Sequence, residues 1–182
     1  MTNNKNILFD INFILNKISL SQREKIAELG CGNFGYFVFP AATMVGPLGK
    51  LYAVDILKTT LEDIKKRAMQ DNLKQIETIW SNVEVFKGTK IANSSLDKVF
   101  LINILNQSDK KHDIIREAVR MLKNSAKLLV VEWKSIDSPI GPIQEKRIHK
   151  NTLKEIAPRM NLILEEEFEA GPYHYGLIFH KS

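Results

Sequence analysis

The chain has 182 residues, 44% of them apolar and 26% charged, a composition that supports one domain with a real core and excludes dominant disorder. Lysine and arginine (26) exceed aspartate and glutamate (21) by 5, but the charges are interspersed: Glu62 and Asp63 precede Lys65, Lys66 and Arg67. With no polybasic arm, no nucleic-acid partner is expected. Apolar runs such as that ending at Val131 fall far short of the roughly 20 residues of a membrane helix, so no membrane insertion is expected. The start of the chain lacks a long apolar region, so no signal peptide is expected either, and the cytoplasm is the expected compartment. A single cysteine, Cys31, excludes an internal disulfide. His112, His149, His174 and His180 show no ligand spacing, so no metal is expected.

Residues 7–20 place Ile7, Leu8, Ile11, Ile14, Leu15 and Ile18 at near-helical spacing and predict an amphipathic helix. Strand and helix signals alternate from residue 25 onward. Lys25–Leu29 is a short strand ending in glycines, and residues 37–45 are a helix stopped by Gly46 and Pro47. A second strand covers residues 50–54 with Asp55 at its end. The next helix carries Leu61, Ile64 and Ala68 on one face, with Thr60 and Asp63 as a capping box. Strands follow at 76–80 and 98–102, then a helix capped near Ser108, then a strand over 126–132. This rhythm predicts a parallel sheet covered on both faces. Residues 135–150, with Pro139, Gly141 and Pro142, read as a loop, and a short helix spans 152–157. Two last strands, 162–168 and 175–180, lie too close for a helical crossover and predict an antiparallel pair.

The most informative stretch joins the first strand to the helix behind it. Gly30, Gly32 and Gly35 form a Gly-x-Gly-x-x-Gly loop. Glycines there permit a tight turn and close approach of backbone N–H groups to a ligand. Asp55 ends the next strand, 20 residues past Gly35, where a carboxylate accepts from ribose hydroxyls. Nicotinamide dinucleotides and S-adenosylmethionine both fit this pattern. Glu28, at the tip of the first strand, favours the second, because a carboxylate repels a pyrophosphate and welcomes an ammonium and a sulfonium.

The run from Glu28 to Gly35 resembles motif I of the class I S-adenosylmethionine-dependent methyltransferases. The resemblance continues through residues 46–55, 96–105, 121–133 and 171–176, and so spans about 23–180 in order. It implies a single domain over 1–182 with an α/β, Rossmann-like, doubly wound fold: a mostly parallel seven-stranded sheet closed by a reversed C-terminal hairpin strand. Its members bind S-adenosyl-L-methionine and release S-adenosyl-L-homocysteine. By resemblance, Glu28 holds the methionine end of the cofactor, and Gly30, Cys31 and Gly32 lie against its amino-acid portion. Asp55 takes the ribose hydroxyls, Ile56 packs on adenine and Asn82 accepts from adenine N6. Asn103 turns a backbone carbonyl toward the cofactor ammonium.

Departures from the family pattern bear on the chemistry. Asn106 stands where members often carry a histidine, and an amide takes no proton at neutral pH. Asn124-Ser-Ala replaces a Pro-Gly-Gly turn before the fifth strand. Glu132, Tyr173 and His174 are the candidates for a catalytic role, and Trp133 and Tyr175 also fall near the pocket mouth. The chain lacks the Asn/Asp-Pro-Pro-aromatic loop of base-amine methylation, a Pro-Cys nucleophile and the several cysteines of arsenite methylation. A small-molecule acceptor is therefore expected, covered by residues 7–20 and 135–150 as a lid. A protein that binds the cofactor without turnover, as a partner subunit, and a nicotinamide oxidoreductase are the alternatives. Oligomeric state and pathway stay open.

Overall fold

A computed structural model describes residues 8–182. Among these residues five α-helices and seven strands follow one another in chain order. α1 is Ile11–Lys17, β1 Lys25–Leu29, α2 Val38–Val45, β2 Lys50–Asp55, α3 Lys58–Gln70 and β3 Ile76–Trp80. β4 is Leu96–Ile102, α4 Lys111–Met121, β5 Leu122–Trp133, α5 Lys150–Ile156, β6 Leu162–Gly171 and β7 His174–Lys181. The strands form one sheet in the order β3-β2-β1-β4-β5-β7-β6. β1 to β5 are parallel, and β7 pairs antiparallel with both β5 and β6. Chain order reverses between β1 and β4, so the crevice beyond their carboxyl ends is the place for a ligand.

Both sheet faces are covered, which is why the strands read as near-continuous apolar runs. Leu29, Val99, Leu101 and Val130 face α4 and α5 in one core, with Ile115, Ala118 and Leu153. Ile26, Phe100, Leu129 and Val131 face the other way, against α1, α2 and α3, with Ile14, Phe37, Ala42 and Ile64.

The first predicted helix, 7–20, is shorter in the structure. It runs Ile11–Lys17, begins where the Asp10 carboxylate accepts from Phe13 N, and its Ile7 lies outside the described residues. Ile14, Leu15 and Ile18 are fully buried beside Phe37 and Phe168. That packing makes α1 part of the core.

The expected capping box at Thr60 and Asp63 does not form. α3 starts at Lys58 behind an extended Leu57, and Thr60 is already inside it, its hydroxyl hydrogen-bonded to Asn33 Oδ1. Asp55 Oδ1, accepting from Leu57 N at 2.9 Å, fixes the entry instead. Ser108 also precedes its helix further than predicted: α4 begins at Lys111, and Ser108 Oγ accepts from Lys110 N at 2.9 Å.

β5 starts four residues before the predicted 126, because Leu122 pairs with Leu96 ahead of an irregularity where Ser125 takes a φ of 62°. The final hairpin is tighter than the predicted gap of 169–174. β6 and β7 extend until only Pro172 and Tyr173 separate them.

Candidate functional site: the cleft at the carboxyl edge

Gly30 N and Cys31 N both donate to the Val54 carbonyl, at 2.8 and 3.1 Å, which folds the loop after β1 over the end of β2. Gly30, Gly32 and Gly35 have φ of 74°, 64° and 54°, a region that carries a Cβ penalty. They serve different purposes. A Cβ on Gly30 would lie 2.2 Å from Ile104 Cδ1, and one on Gly35 2.5 Å from Ile64 Cδ1. These two allow close protein packing. A Cβ on Gly32 would meet nothing within 4 Å, so that residue alone faces open space.

The open space is a cleft of about 350 Å³ lined by Gly30, Gly32, Asp55, Ile56, Asn82 and Gln107 among others. Asp55 holds its floor: Oδ2 accepts from Gly32 N at 3.0 Å and Oδ1 from Leu57 N. A carboxylate has about four lone-pair sites, so both oxygens can still accept from a diol. Ile56 is 53% exposed along one wall, and its carbonyl accepts from Trp80 Nε1 at 2.8 Å. Asn82 lies on the wall as expected, but its Oδ1 already accepts from Glu84 N at 2.9 Å. Sequence reasoning missed Thr60, Val83, Ile104 and Gln107 as lining residues. Ile104 and Gln107 follow directly on Asn103, and the rule that ligands bind beyond the carboxyl ends of strands would have flagged their loop.

Glu28 is 3% exposed, on the same sheet face as its register partner Phe100. Its Oε2 has no hydrogen-bond partner among the described residues. Burial, reinforced by the charge of Asp55, holds its pKa well above the ordinary glutamate value. A buried acceptor without a donor is costly unless a ligand supplies one. The orphaned oxygen, the glycine loop and the Asp55 carboxylate on the cleft's floor together fit an amino-acid-bearing nucleoside.

The Cys31 side chain, expected to lie against the amino-acid portion of the cofactor, is buried. It packs among Phe37 and Val38 in the core and does not line the cleft. Burial, with Glu28 and Asp55 nearby, pushes its thiol strongly up, so no thiolate forms. Gly35 likewise stands behind the cleft, against α2 and α3. Asn103 has a φ of 52° at the end of β4; its carbonyl accepts from Gln107 Nε2 at 2.6 Å, and its side-chain Nδ2 lies 3.2 Å from His174 Nε2.

The three catalytic candidates occupy separate settings. His174 is fully buried, tilted against Trp133 with ring centroids 4.1 Å apart and edge-on to Phe9 at 4.9 Å. Burial lowers its pKa to about 4, against the pull of the Leu8 backbone, so it is neutral. Tyr173 forms the β6–β7 turn, its carbonyl accepting from Lys134 N. Glu132 accepts from Leu105 N and Asn106 Nδ2, both at 2.7 Å, and burial outweighs these donors to push its pKa up to about 7. Its carboxylate thus holds the turn Leu105–Gln107. Among the described residues no cluster of three or more potential metal ligands occurs, and no helix is long and apolar enough to cross a membrane.

A family profile for methyltransferase domains matches residues 20–167. Among solved structures, an S-adenosylmethionine-dependent methyltransferase from Aquifex aeolicus superposes with a TM-score of 0.87 at 21% identity, covering 96% of this chain and 91% of that one. A provisionally assigned type 11 methyltransferase from Sulfolobus solfataricus gives 0.77 at 24% identity, covering 97% and 95%. The [4+2]-cyclase SpnF gives 0.79 at 12% identity, covering 94% and 79%. These likenesses agree with the seven-stranded fold, and the profile covers most of the chain. The chain belongs to the methyltransferase-domain family, the class I S-adenosylmethionine-dependent methyltransferases.

Proposed function

We propose that the protein transfers the methyl group of S-adenosyl-L-methionine to a small molecule bound in the groove beside the cofactor cleft. The carrying observation is the buried Glu28 Oε2, an acceptor that has no donor among the described residues and sits behind a glycine loop. Asp55 would hold the ribose diol and Ile56 with Val83 the adenine faces of the cleft, while Glu28, two residues before Gly30 and outside the cleft's lining, would hold the methionine end. Gly32 leaves the room the ligand needs. When bound, the cofactor supplies an activated methyl on sulfur, so the chain's own task is to position a nucleophile and exclude water.

The acceptor groove, about 500 Å³, lies between Asn106–Gln107 and the segment Gly141–Lys146. Arg147 shapes that segment: its guanidinium donates to the carbonyls of Pro142, Lys134, Ile136 and Ile140. Gly141 rests so close to Trp133 that a Cβ would stand 2.7 Å from the indole. Residues 135–150 are thus the cover of the acceptor site. The core packing of α1 supports a role for that helix in stability. Asn106 cannot act as a base, and Glu132 behind it is already bonded to two donors. An acceptor that arrives deprotonated, or that loses its proton to water, suits such a groove.

Isothermal titration with S-adenosyl-L-methionine, S-adenosyl-L-homocysteine and NAD tests the cofactor half, with micromolar binding of the first two and none of the third expected. Incubation of the protein with a metabolite extract and methyl-labelled cofactor tests turnover. A second reading, cofactor binding without methyl transfer, is favoured by the amide at position 106. Tight cofactor binding with no labelled product from any extract would support it over the first.

A further inference from the structure

Gln107 stands where two cavities meet. It lines the cofactor cleft with Ile104 and Ser108, and it lines the groove with Asn106, Ile143 and Lys146. Its backbone is held: Gln107 N donates to the Ile104 carbonyl at 3.1 Å, and Glu132 ties down the two preceding residues. Its side chain is exposed. In the structure that side chain uses one polar contact, Nε2 donating to the Asn103 carbonyl at 2.6 Å. Asn103 reaches this position through a left-handed φ of 52°, while its N–H stays bonded to the Val131 carbonyl at 2.8 Å.

We infer that Gln107 is a placeholder: its amide fills the Asn103 carbonyl in the free protein, gives way to the cofactor's ammonium, and turns into the acceptor groove. This rests on the reading that the Asn103 carbonyl takes that ammonium. The exchange is favourable because a charged donor forms a hydrogen bond about twice as strong as a neutral amide. It keeps the carbonyl paired in both states, so no acceptor is left empty when the ligand covers it. Once turned, the amide offers a donor and an acceptor to whatever polar group the methyl acceptor carries. Cofactor loading therefore completes the acceptor site, and binding is ordered, cofactor first. Gln107 is a positioning residue; it takes no part in bond making.

The experiment uses the full chain and two probes. S-adenosyl-L-homocysteine carries the ammonium; 5′-methylthioadenosine lacks it. Wild type should bind the first more tightly than the second. In Gln107→Ala, homocysteine-conjugate binding should tighten by roughly two- to tenfold, the worth of one neutral hydrogen bond no longer displaced, while methylthioadenosine affinity stays the same. Gln107→Met, which keeps the bulk and loses the amide, should behave like the alanine variant. The side-chain amide resonance of Gln107 should shift on adding S-adenosyl-L-homocysteine and stay in place with methylthioadenosine. Unchanged or weaker homocysteine-conjugate binding in both variants overturns the placeholder, even though the carbonyl reading stands. Equal binding of the two probes by wild type overturns the carbonyl reading itself, and the placeholder with it.

Discussion

Asn106 Nδ2 donates to Glu132 Oε2 at 2.7 Å, across 26 residues of sequence, joining the loop after β4 to the end of β5. The carboxylate that receives this bond is fully buried and also accepts from Leu105 N. It therefore fixes the turn that carries Gln107 to the border of the two cavities.

This burial makes stability depend on pH in a definite direction. Burial raises the Glu132 pKa from 4.5 to about 7, so the folded state holds a proton that the unfolded state releases. Its contribution is complete below pH 4.5 and is lost as pH rises through 7. Glutamine cannot titrate, so Glu132→Gln carries only a constant offset from its altered hydrogen bonding. From pH 4.5 to 8 the stability gap should move in the variant's favour by roughly 3 kcal/mol, because each tenfold difference in proton affinity between folded and unfolded states is worth about 1.36 kcal/mol. Urea unfolding of both proteins across that range checks this. Parallel profiles would refute it.

If Glu28 holds the cofactor as proposed, it affects stability and ligand binding in opposite senses. Its buried carboxylate is raised well above the ordinary value by desolvation and then by Asp55, so its share of stability falls with rising pH. Glu28→Gln should raise the melting temperature of the ligand-free protein relative to wild type increasingly as pH rises, because ionising the buried, unpaired carboxyl costs wild type stability. The same change should weaken S-adenosyl-L-methionine binding by about 10-fold or more, the scale of a hydrogen bond to a charged group. Thermal scans with and without cofactor report both. A variant that is less stable and binds equally well would remove Glu28 from the site.

Asp55 holds the loop and, on the proposed reading, the ligand. Asp55→Ala removes the acceptors for Gly32 N and Leu57 N and, on that reading, those for the ribose. Cofactor affinity should fall by about 1.5–3 kcal/mol. Asp55→Asn keeps one oxygen and should lose less. Titration calorimetry on folded variants decides, and an unchanged dissociation constant in Asp55→Ala would sink the assignment.

Gly32 is the loop glycine with open space before it, so substitution there tests the ligand more than the fold. Gly32→Val places a branched side chain into the cleft at a φ of 64°. Binding of S-adenosyl-L-homocysteine should vanish while circular dichroism and cooperative unfolding persist, at a cost of about 1–2 kcal/mol for the left-handed backbone. Gly30→Ala, by contrast, meets Ile104 at 2.2 Å and should destabilise the protein itself. Retained affinity in Gly32→Val would mean that the loop is an ordinary turn.

The strands, the parallel sheet with its reversed end, the glycine loop and Asp55 were all legible in the sequence. Each is encoded by residues near one another: apolar periodicity, glycines at fixed offsets, a carboxylate at a strand tip. Periodicity also placed α2, α3 and α4 to within a few residues. What it could not place were contacts whose partners lie far along the chain. Thr60 looked like a cap because local spacing allowed it, but Asn33, 27 residues earlier, takes its hydroxyl. Cys31 and Gly35 belong to the glycine motif, but the packing of α2 against the sheet turns one into the core and sets the other behind it. Glu132 resembled a site carboxylate, and only the approach of β4 to β5 turned it into the anchor of the Asn106 turn. A motif is set by covalent spacing. Which of its atoms stay free for a ligand is set by every other donor and acceptor that folding brings within about 3 Å, and that was decided by the tertiary structure alone.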